Sequence, residues 1–529
     1  MMRRREFMQA MGTGLATAAI GANAGAQAPN RPKRPNFVII LADDLGFSDL
    51  GCYGSEIATP NLDGLAREGI RFTHFYSAAR CCPSRASLLT GLYPHQAGMG
   101  GMVTRGETAA KEGPYQGYLN RSCVTFAEVL KGAGYRTYMS GKWHVGERPE
   151  HWPRQRGFDR YYGLISGASS YWGIVEQERE QRAFALDDER IVPGGESFYM
   201  TDAFTDYAVT WLEQQAGREE PFLLYLAYTA PHWPLHAWPE DIAKYRGAYV
   251  WGWDTLRDER YARLLSQGII DPKWRLSPRD PDVPPWEEAD NQADWALRMA
   301  VYAAMVDRMD QGVGRVLAAL RRLGLEEDTL VIFLSDNGGC HESVEGRNLN
   351  TPGTEPGEPG SFVAYRRPWA NASNTPFRLF KHWVHEGGIA TPFIARWPGG
   401  ISRKGELEHQ VSHINDIMAT CVDLAGASYP TRFNGQAITP CEGRSLAPVF
   451  RGEQREPPDR LYWEHMGNRA VREGDWKLVA DKSGDWALYN LAEDRTELND
   501  LADAMPERAE AMLRAWDAWA ERVGARKPV

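Results

Sequence analysis

The chain has 529 residues, 43% of them hydrophobic and 25% charged, with a formal net charge of -10. Such values belong to folded globular proteins and exclude wholesale disorder or a membrane bundle, and a prior of roughly 150 residues per domain leaves room for more than one domain. The acidic balance gives no general attraction to nucleic acid, so an anionic ligand would need positive charge gathered at a local site.

In chain order, residues 1–28 read as an export signal. Arg3-Arg4-Arg5 precede Glu6-Phe7-Met8, a mildly apolar stretch from Met11 to Ala22, and the small residues Ala24-Gly25-Ala26. The Arg4-Arg5-Glu6-Phe7-Met8 run resembles a bacterial twin-arginine signal, which predicts a periplasmic or secreted product. No later run approaches the ~18 apolar residues a spanning helix needs, so no membrane span is expected. The seven cysteines, Cys52, Cys81, Cys82, Cys123, Cys340, Cys421 and Cys441, are odd in number and irregular in spacing, which does not read as a disulfide framework.

After a Pro-rich linker, Phe37–Ala42 is a short continuous apolar run, repeated in kind at Phe222–Leu226 and Leu330–Leu334. Runs of this sort fit strands buried on both faces, as in a parallel sheet. Between them the clearest helical pattern spans Trp295 to Leu323, with Met299, Tyr302, Val306, Met309 and Val313 at helical spacing. Strands alternating with helices predict a doubly wound α/β fold, with a large mixed, mostly parallel sheet flanked by helices. Two segments, Trp238–Asn291 and residues 340–375, read as insertions or loops bordering a site. From about Arg444 the texture changes to short strand-like pieces (Leu461–Trp463, Trp476–Val479, Trp486–Asn490) and a charged helix over Pro506–Val523. The expected organisation is therefore a main domain over residues 35–443 and a smaller C-terminal α+β subdomain over 444–529.

Each buried strand is followed by polar residues: Asp43-Asp44, Pro231-His232, and Asp336-Asn337-Gly338-Gly339. Ligands of open α/β sheets bind beyond the carboxyl ends of the strands, so these clusters are candidates for one site. Asp43, Asp44 and Asp336 would repel one another if gathered together unless a cation joined them. With Asn337 they make a hard, all-oxygen donor set, which favours Ca²⁺ or Mg²⁺ over zinc. Taken singly, each pair reads equally as a turn or a helix cap. The basic candidates are Arg85, Lys142, His144, His232 and Lys381, groups able to hold nonbridging oxygens of an anionic ester or to protonate its leaving oxygen.

The segment Cys81-Cys82-Pro83-Ser84-Arg85-Ala86-Ser87-Leu88-Leu89-Thr90-Gly91 resembles the Cys-x-Pro-Ser-Arg signature of type I sulfatases, formylglycine-dependent enzymes of the alkaline phosphatase superfamily. The resemblance continues through Asn36–Asp44, Gly141-Lys142-Trp143-His144, Pro231-His232, Ser335–Gly338 and Lys381 with its following Glu386-Gly387-Gly388. Downstream it takes in His413, Asp416, Asp423–Gly426 and Tyr489-Asn490-Leu491, so that it covers the chain from Pro35 to about Ala502.

The resemblance implies hydrolysis of a sulfate monoester. In such enzymes a maturation enzyme oxidises the signature cysteine, here Cys81 and not Cys82, to formylglycine, whose hydrate is the nucleophile. The metal ligands would be Asp43, Asp44, Asp336, Asn337 and the modified Cys81, with calcium as the ion. Arg85 would hold the hydrate, Lys142 and Lys381 would bind sulfate oxygens, His144 would assist breakdown of the sulfated intermediate, and His232 would stand beside the leaving oxygen. Two other readings share these residues: a phosphate or phosphonate ester hydrolase of the same superfamily, and a non-catalytic binder of sulfated glycans. The substrate, a sulfated small molecule or carbohydrate, has no readable code; Ser166–Trp172, Trp238–Asn291 and Cys340–Ser373 are the segments expected to shape its pocket.

Overall fold

A computed structural model of the chain describes residues 34–104, 113–178, 180–195 and 197–526. The export-signal reading of residues 1–28 lies outside the described residues. The organising element is a ten-stranded sheet. At its centre Thr329–Ser335, Asn36–Asp43, Phe222–Pro231 and Arg136–Gly141 lie side by side in that order, all parallel. Every residue of the first three is buried. Successive side chains of Asn36–Asp43 go to opposite faces, Val38, Ile40 and Ala42 to one core and Phe37, Ile39 and Leu41 to the other. A strand that feeds two cores has no solvated face, which is why its sequence is unbroken apolar and not alternating.

Towards its edges the sheet becomes mixed. Phe393–Arg396 pairs antiparallel with Thr329–Ser335 and with Ile70–Phe72, while Arg160–Leu164 continues the parallel set on the other side before two short antiparallel strands. The long helix Gln292–Arg322 matches the predicted pattern and lays Met299, Tyr302, Met305 and Met309 into the first core. Cys81–Thr90, Phe126–Gly132 and Asp416–Leu424 contribute Leu88, Leu130 and Ile417 to the second. None of the helices among the described residues is long and apolar enough to cross a membrane.

The Trp238–Asn291 segment departs from its reading as a loop, because it contains the helices Pro239–Tyr245 and Gly252–Ser266. Trp253 packs edge-on against Trp286 and Trp369 at 4.7 and 5.5 Å. Arg260, fully buried, pairs with Asp49 at 2.6 Å and Glu56 at 2.9 Å. A helix that packs through indoles and a buried guanidinium breaks the apolar periodicity by which amphipathic helices are recognised. Residues 340–375 stay mostly irregular, with a 3₁₀ turn at Glu345–Arg347 and an α-helix at Arg366–Ser373.

The strands Leu461–His465, Asn468–Glu473, Trp476–Ala480 and Trp486–Asn490 form an antiparallel meander. On it the helix Pro506–Val523 lays Met512, Trp516, Trp519, Ala520 and Val523, against Val471, Leu478 and Leu488. Residues 34–529 make one compact unit, and a buried knot of charge ties the meander to the large sheet's loops. Lys477 Nζ lies 3.0 Å from Glu386 Oε1 and 2.9 Å from Glu497 Oε1, and Arg495 Nε donates to Glu386 Oε2 at 2.9 Å, all four side chains fully buried. Burial opposes ionisation of Glu386, yet Lys477 and Arg495 hold its carboxyl down to about 2. Removing one partner of such a knot leaves a buried charge uncompensated, at a cost of about 3–5 kcal/mol. Lys477→Met is therefore expected to lose that much stability in chemical denaturation; an unchanged midpoint at unchanged slope would show that the knot does not hold the two parts together.

Candidate active site

The four central strands end at one edge of the sheet, and their ends carry the site. Asp43 and Asp44 close Asn36–Asp43, Asp336 and Asn337 follow Thr329–Ser335, Lys142 and His144 follow Arg136–Gly141, and His232 follows Phe222–Pro231. Parallel alignment thus gathers motifs almost three hundred residues apart. The glycines in those motifs mark close backbone approach. A Cβ on Gly141 would stand 1.9 Å from the Ala227 carbonyl oxygen, and one on Gly338 would stand 1.9 Å from that of Gly387. Asp44 and His144 have φ of 67° and 55°, a left-handed backbone costing about 1–3 kcal/mol each, which persists only where surrounding structure fixes it.

Each carboxylate has a cation of its own as nearest partner. Lys142 Nζ donates to Asp43 Oδ2 at 2.5 Å and Lys381 Nζ to Asp44 Oδ2 at 2.9 Å. Arg85 grips Asp336 Oδ2 through Nε and Nη2 at 3.2 and 3.0 Å, and its Nη1 donates to the Lys142 carbonyl at 2.8 Å. Asn337 Nδ2 donates to Asp44 Oδ1 at 2.7 Å, the Asp44 amide to Asp336 Oδ1 at 3.2 Å, and His232 Nε2 lies 3.4 Å from Asp44 Oδ2. The carboxylates and cations are all buried. Asp43 Oδ1 and Asn337 Oδ1 have no hydrogen-bond partner. Burial pushes Asp43 up to about 7 despite Lys142, with Asp336 adding to the rise. Asp336 is raised by burial as well, whereas Lys381 and His232 overcome burial at Asp44 and keep it below the usual range. Orphaned oxygens and a carboxyl that resists ionisation are what a hard-oxygen cation site looks like before its ion is added.

Above this floor opens a cleft of about 550 Å³. Cys81 is the one cysteine of the seven that lines it, and all seven are unpaired. It is the first residue of the helix Cys81–Thr90, with Arg85 one turn further on the same face. Cys82 turns aside, its Sγ 3.4 Å from His144 Nε2. His144 lines the cleft, and burial drops its imidazole to about 3. His232 Nδ1 is 2.6 Å from the Trp233 carbonyl oxygen, which leaves Nε2 towards Asp44.

Every candidate residue from the sequence therefore meets at this edge. Sequence reasoning gave no role to Arg80, Glu342 or Arg347, which stand in the cleft's walls. Glu342 accepts from Arg80 Nη2 at 2.7 Å and from Trp233 Nε1 at 3.0 Å, and stands 3.8 Å from Lys381 Nζ. Arg347 lies over the Trp233 ring at 4.5 Å. Of the segments expected to shape the pocket, Ser166–Trp172 supplies Gly167 and Ala168 and the 340–373 loop supplies His341 to Ser343 and Arg347. Trp238–Asn291 supplies nothing to this cleft, because its helices pack away from it.

A model of the Sulfatase family matches residues 35–427. The chain belongs to the sulfatase family. A model of the C-terminal part of N-sulphoglucosamine sulphohydrolase matches residues 377–515 of the same chain. The sulfatase is 34% identical to an uncharacterized sulfatase of Schizosaccharomyces pombe, over 93% of its own length and 94% of the relative's. It is likewise 34% identical to the arylsulfatase of Klebsiella aerogenes, over 82% and 95%. The structure of Ps i-CgsB with k-i-k-neocarrahexaose superposes with a TM-score of 0.68 at 27% identity, covering 92% and 93% of the two chains. The protein is thus a sulfuric ester hydrolase. Because burial, not a neighbouring cation, dominates the His144 shift, its imidazole should stay neutral between about pH 8 and pH 5. Nitrogen-15 imidazole spectra assigned with His144→Gln check this, and protonation near pH 6 would contradict it.

Proposed function

We propose that this sulfatase cleaves sulfate monoesters of carbohydrates through a formylglycine made from Cys81 and a calcium ion held by Asp43, Asp44, Asp336, Asn337 and residue 81. The observation that carries the reading is the position of Cys81, the one cysteine open to the cleft, above three paired carboxylates and between Lys142, His144 and Lys381. A hydrated aldehyde at residue 81 would supply the attacking oxygen and a second hydroxyl for release of sulfate, and calcium held by the carboxylates would make the attacking hydroxyl more acidic and offset the ester's charge.

The chain's own residues do the rest. Three carboxylates already face three cations, so a divalent ion leaves the site with net positive charge, suited to an anionic ester. Lys142 and Lys381 hold nonbridging sulfate oxygens, and Arg85 orients residue 81 from one turn along the helix. His232 delivers a proton from Nε2 to the leaving oxygen; burial lowers its imidazole, and Asp44, 3.4 Å away, offsets part of that by favouring the charged form. His144, kept neutral, is ready to accept a proton as sulfate departs. Magnesium suits the same oxygens less well, since it demands a stricter octahedron. The carbohydrate reading is supported by the saccharide complex of Ps i-CgsB. A periplasmic or secreted location, reached by twin-arginine export after oxidation of Cys81 by a maturation enzyme, completes the proposal.

Protein with oxidised Cys81 and calcium is expected to give a clearly higher kcat/KM for an aryl sulfate than for the matching aryl phosphate, and Cys81→Ser to abolish turnover, because a sulfate ester of serine has no second hydroxyl on the same carbon from which an aldehyde could re-form as sulfate leaves. Preference for phosphate, or normal turnover by the serine variant, would overturn the mechanism. Calcium added to chelator-treated protein should stabilise it by about 2.7 kcal/mol at a hundredfold excess over Kd. Since Asp43 is pushed up to about 7 without the ion, binding at about pH 6 should release more protons than at about pH 8. Calorimetry in buffers of different ionisation enthalpy reads the difference.

A further inference from the structure

Three of the segments that wall the active cleft continue into a second one. Gly167 and Ala168 line the first and Trp172 the second. His232 and Trp233 line the first, Ala237 and Trp238 the second. His341 to Ser343 belong to the first, Thr354 to Gly360 to the second. Four residues separate Ala168 from Trp172 and Trp233 from Ala237, so the two linings stand no more than about 14 Å apart along either loop. At about 560 Å³ the second cleft equals the first and lies well within the size of ligand sites.

Its walls are held in place. Gly357 N donates to the Leu235 carbonyl at 3.2 Å, and His236 Nε2 is 2.7 Å from the Ser361 carbonyl oxygen. Trp238 Nε1 donates to Asp202 Oδ2 at 3.0 Å, and Arg308 Nη2 grips the same carboxylate at 2.7 Å. Trp172 stands edge-on to Trp238, with centroids 4.7 Å apart and planes at 79°. Both indoles are half-buried, so ring surface remains open beside a polar rim.

The two clefts differ in charge. The first has Arg80, Arg182, Arg347 and Lys381 in its lining against the single carboxylate of Glu342. The second has Arg246, paired with Glu355 at 3.1 Å, and Glu358 in addition. A sulfate group suits the first and is repelled by the second, whereas the C–H face of a pyranose ring packs well on an indole beside hydroxyl-binding carboxylates.

We infer that the second cleft is a distal subsite for an uncharged sugar of an oligosaccharide whose sulfated unit occupies the active cleft, with Trp172 and Trp238 as the stacking platform. This rests on the carbohydrate-sulfate reading above. The test compares kcat/KM for 4-nitrophenyl sulfate with values for sulfated mono- and hexasaccharides whose internal units are unsulfated, drawn from galactan, galactosamine and glucosamine series, using wild type, Trp172→Ala, Trp238→Ala and the ring-keeping Trp238→Phe. In the accepted series the hexasaccharide should exceed its monosaccharide by about tenfold or more. Both alanine variants should lose that advantage through KM, Trp238→Phe should keep most of it, and 4-nitrophenyl sulfate should change by less than about twofold throughout. Equal use of mono- and hexasaccharide by wild type, or a length advantage that survives both alanine variants, overturns the subsite and leaves the carbohydrate reading standing. Parallel losses on 4-nitrophenyl sulfate and hexasaccharide reduce the tryptophans to structural parts and likewise overturn it. Turnover of the aryl ester with no saccharide accepted removes the carbohydrate reading and the subsite together.

Discussion

Three carboxylates buried at one edge of a sheet cannot stay ionised unless something answers each of them. Asp43, Asp44 and Asp336 are answered by Lys142, Lys381 and Arg85, and those three cations arrive from a strand end, a loop and a helix. The need to bring them within hydrogen-bond reach explains the left-handed Asp44, the packed glycines and the position of the helix that begins at Cys81. Two oxygens, on Asp43 and Asn337, are left without a hydrogen-bond partner among them.

The same requirement reaches the C-terminal meander. Five residues after Lys381, Glu386 opens the short helix Glu386–Ile389, and it is gripped by Lys477 and Arg495 from the meander and the segment after it. Gly388 in that helix has no room for a side chain, since a Cβ would meet the Trp383 carbonyl oxygen at 1.9 Å. The small sheet thus helps aim a cation into the active cleft without touching the cleft.

What the sequence disclosed follows from what each feature leaves in a linear pattern. Strands buried on both faces leave unbroken apolar runs, and Asn36–Asp43, Phe222–Pro231 and Thr329–Ser335 were legible for that reason. The residues of the site were legible because chemistry fixes their types at strand ends and in the Cys81 signature. Glu342 and Arg80 were not, because one acid and one base in loops carry no period, and their pairing at 2.7 Å exists only in space. The helix Gly252–Ser266 hid for the opposite reason: it buries Arg260 and Trp253 where a periodic pattern would show aliphatic residues. The charge knot around Glu386 was invisible too, since its members lie about a hundred residues apart.

The order of the strands has a bearing on time. The site draws on segments near residues 43, 81, 142, 232, 336 and 381, and the loop bearing the last of these is locked by Arg495. Contacts of such separation form late, after long stretches of chain have been closed into loops. A chain that stopped before Arg495 would keep Lys477 on one oxygen of Glu386 and lose the guanidinium on the other, so the loop that bears Lys381 would be held from one side only.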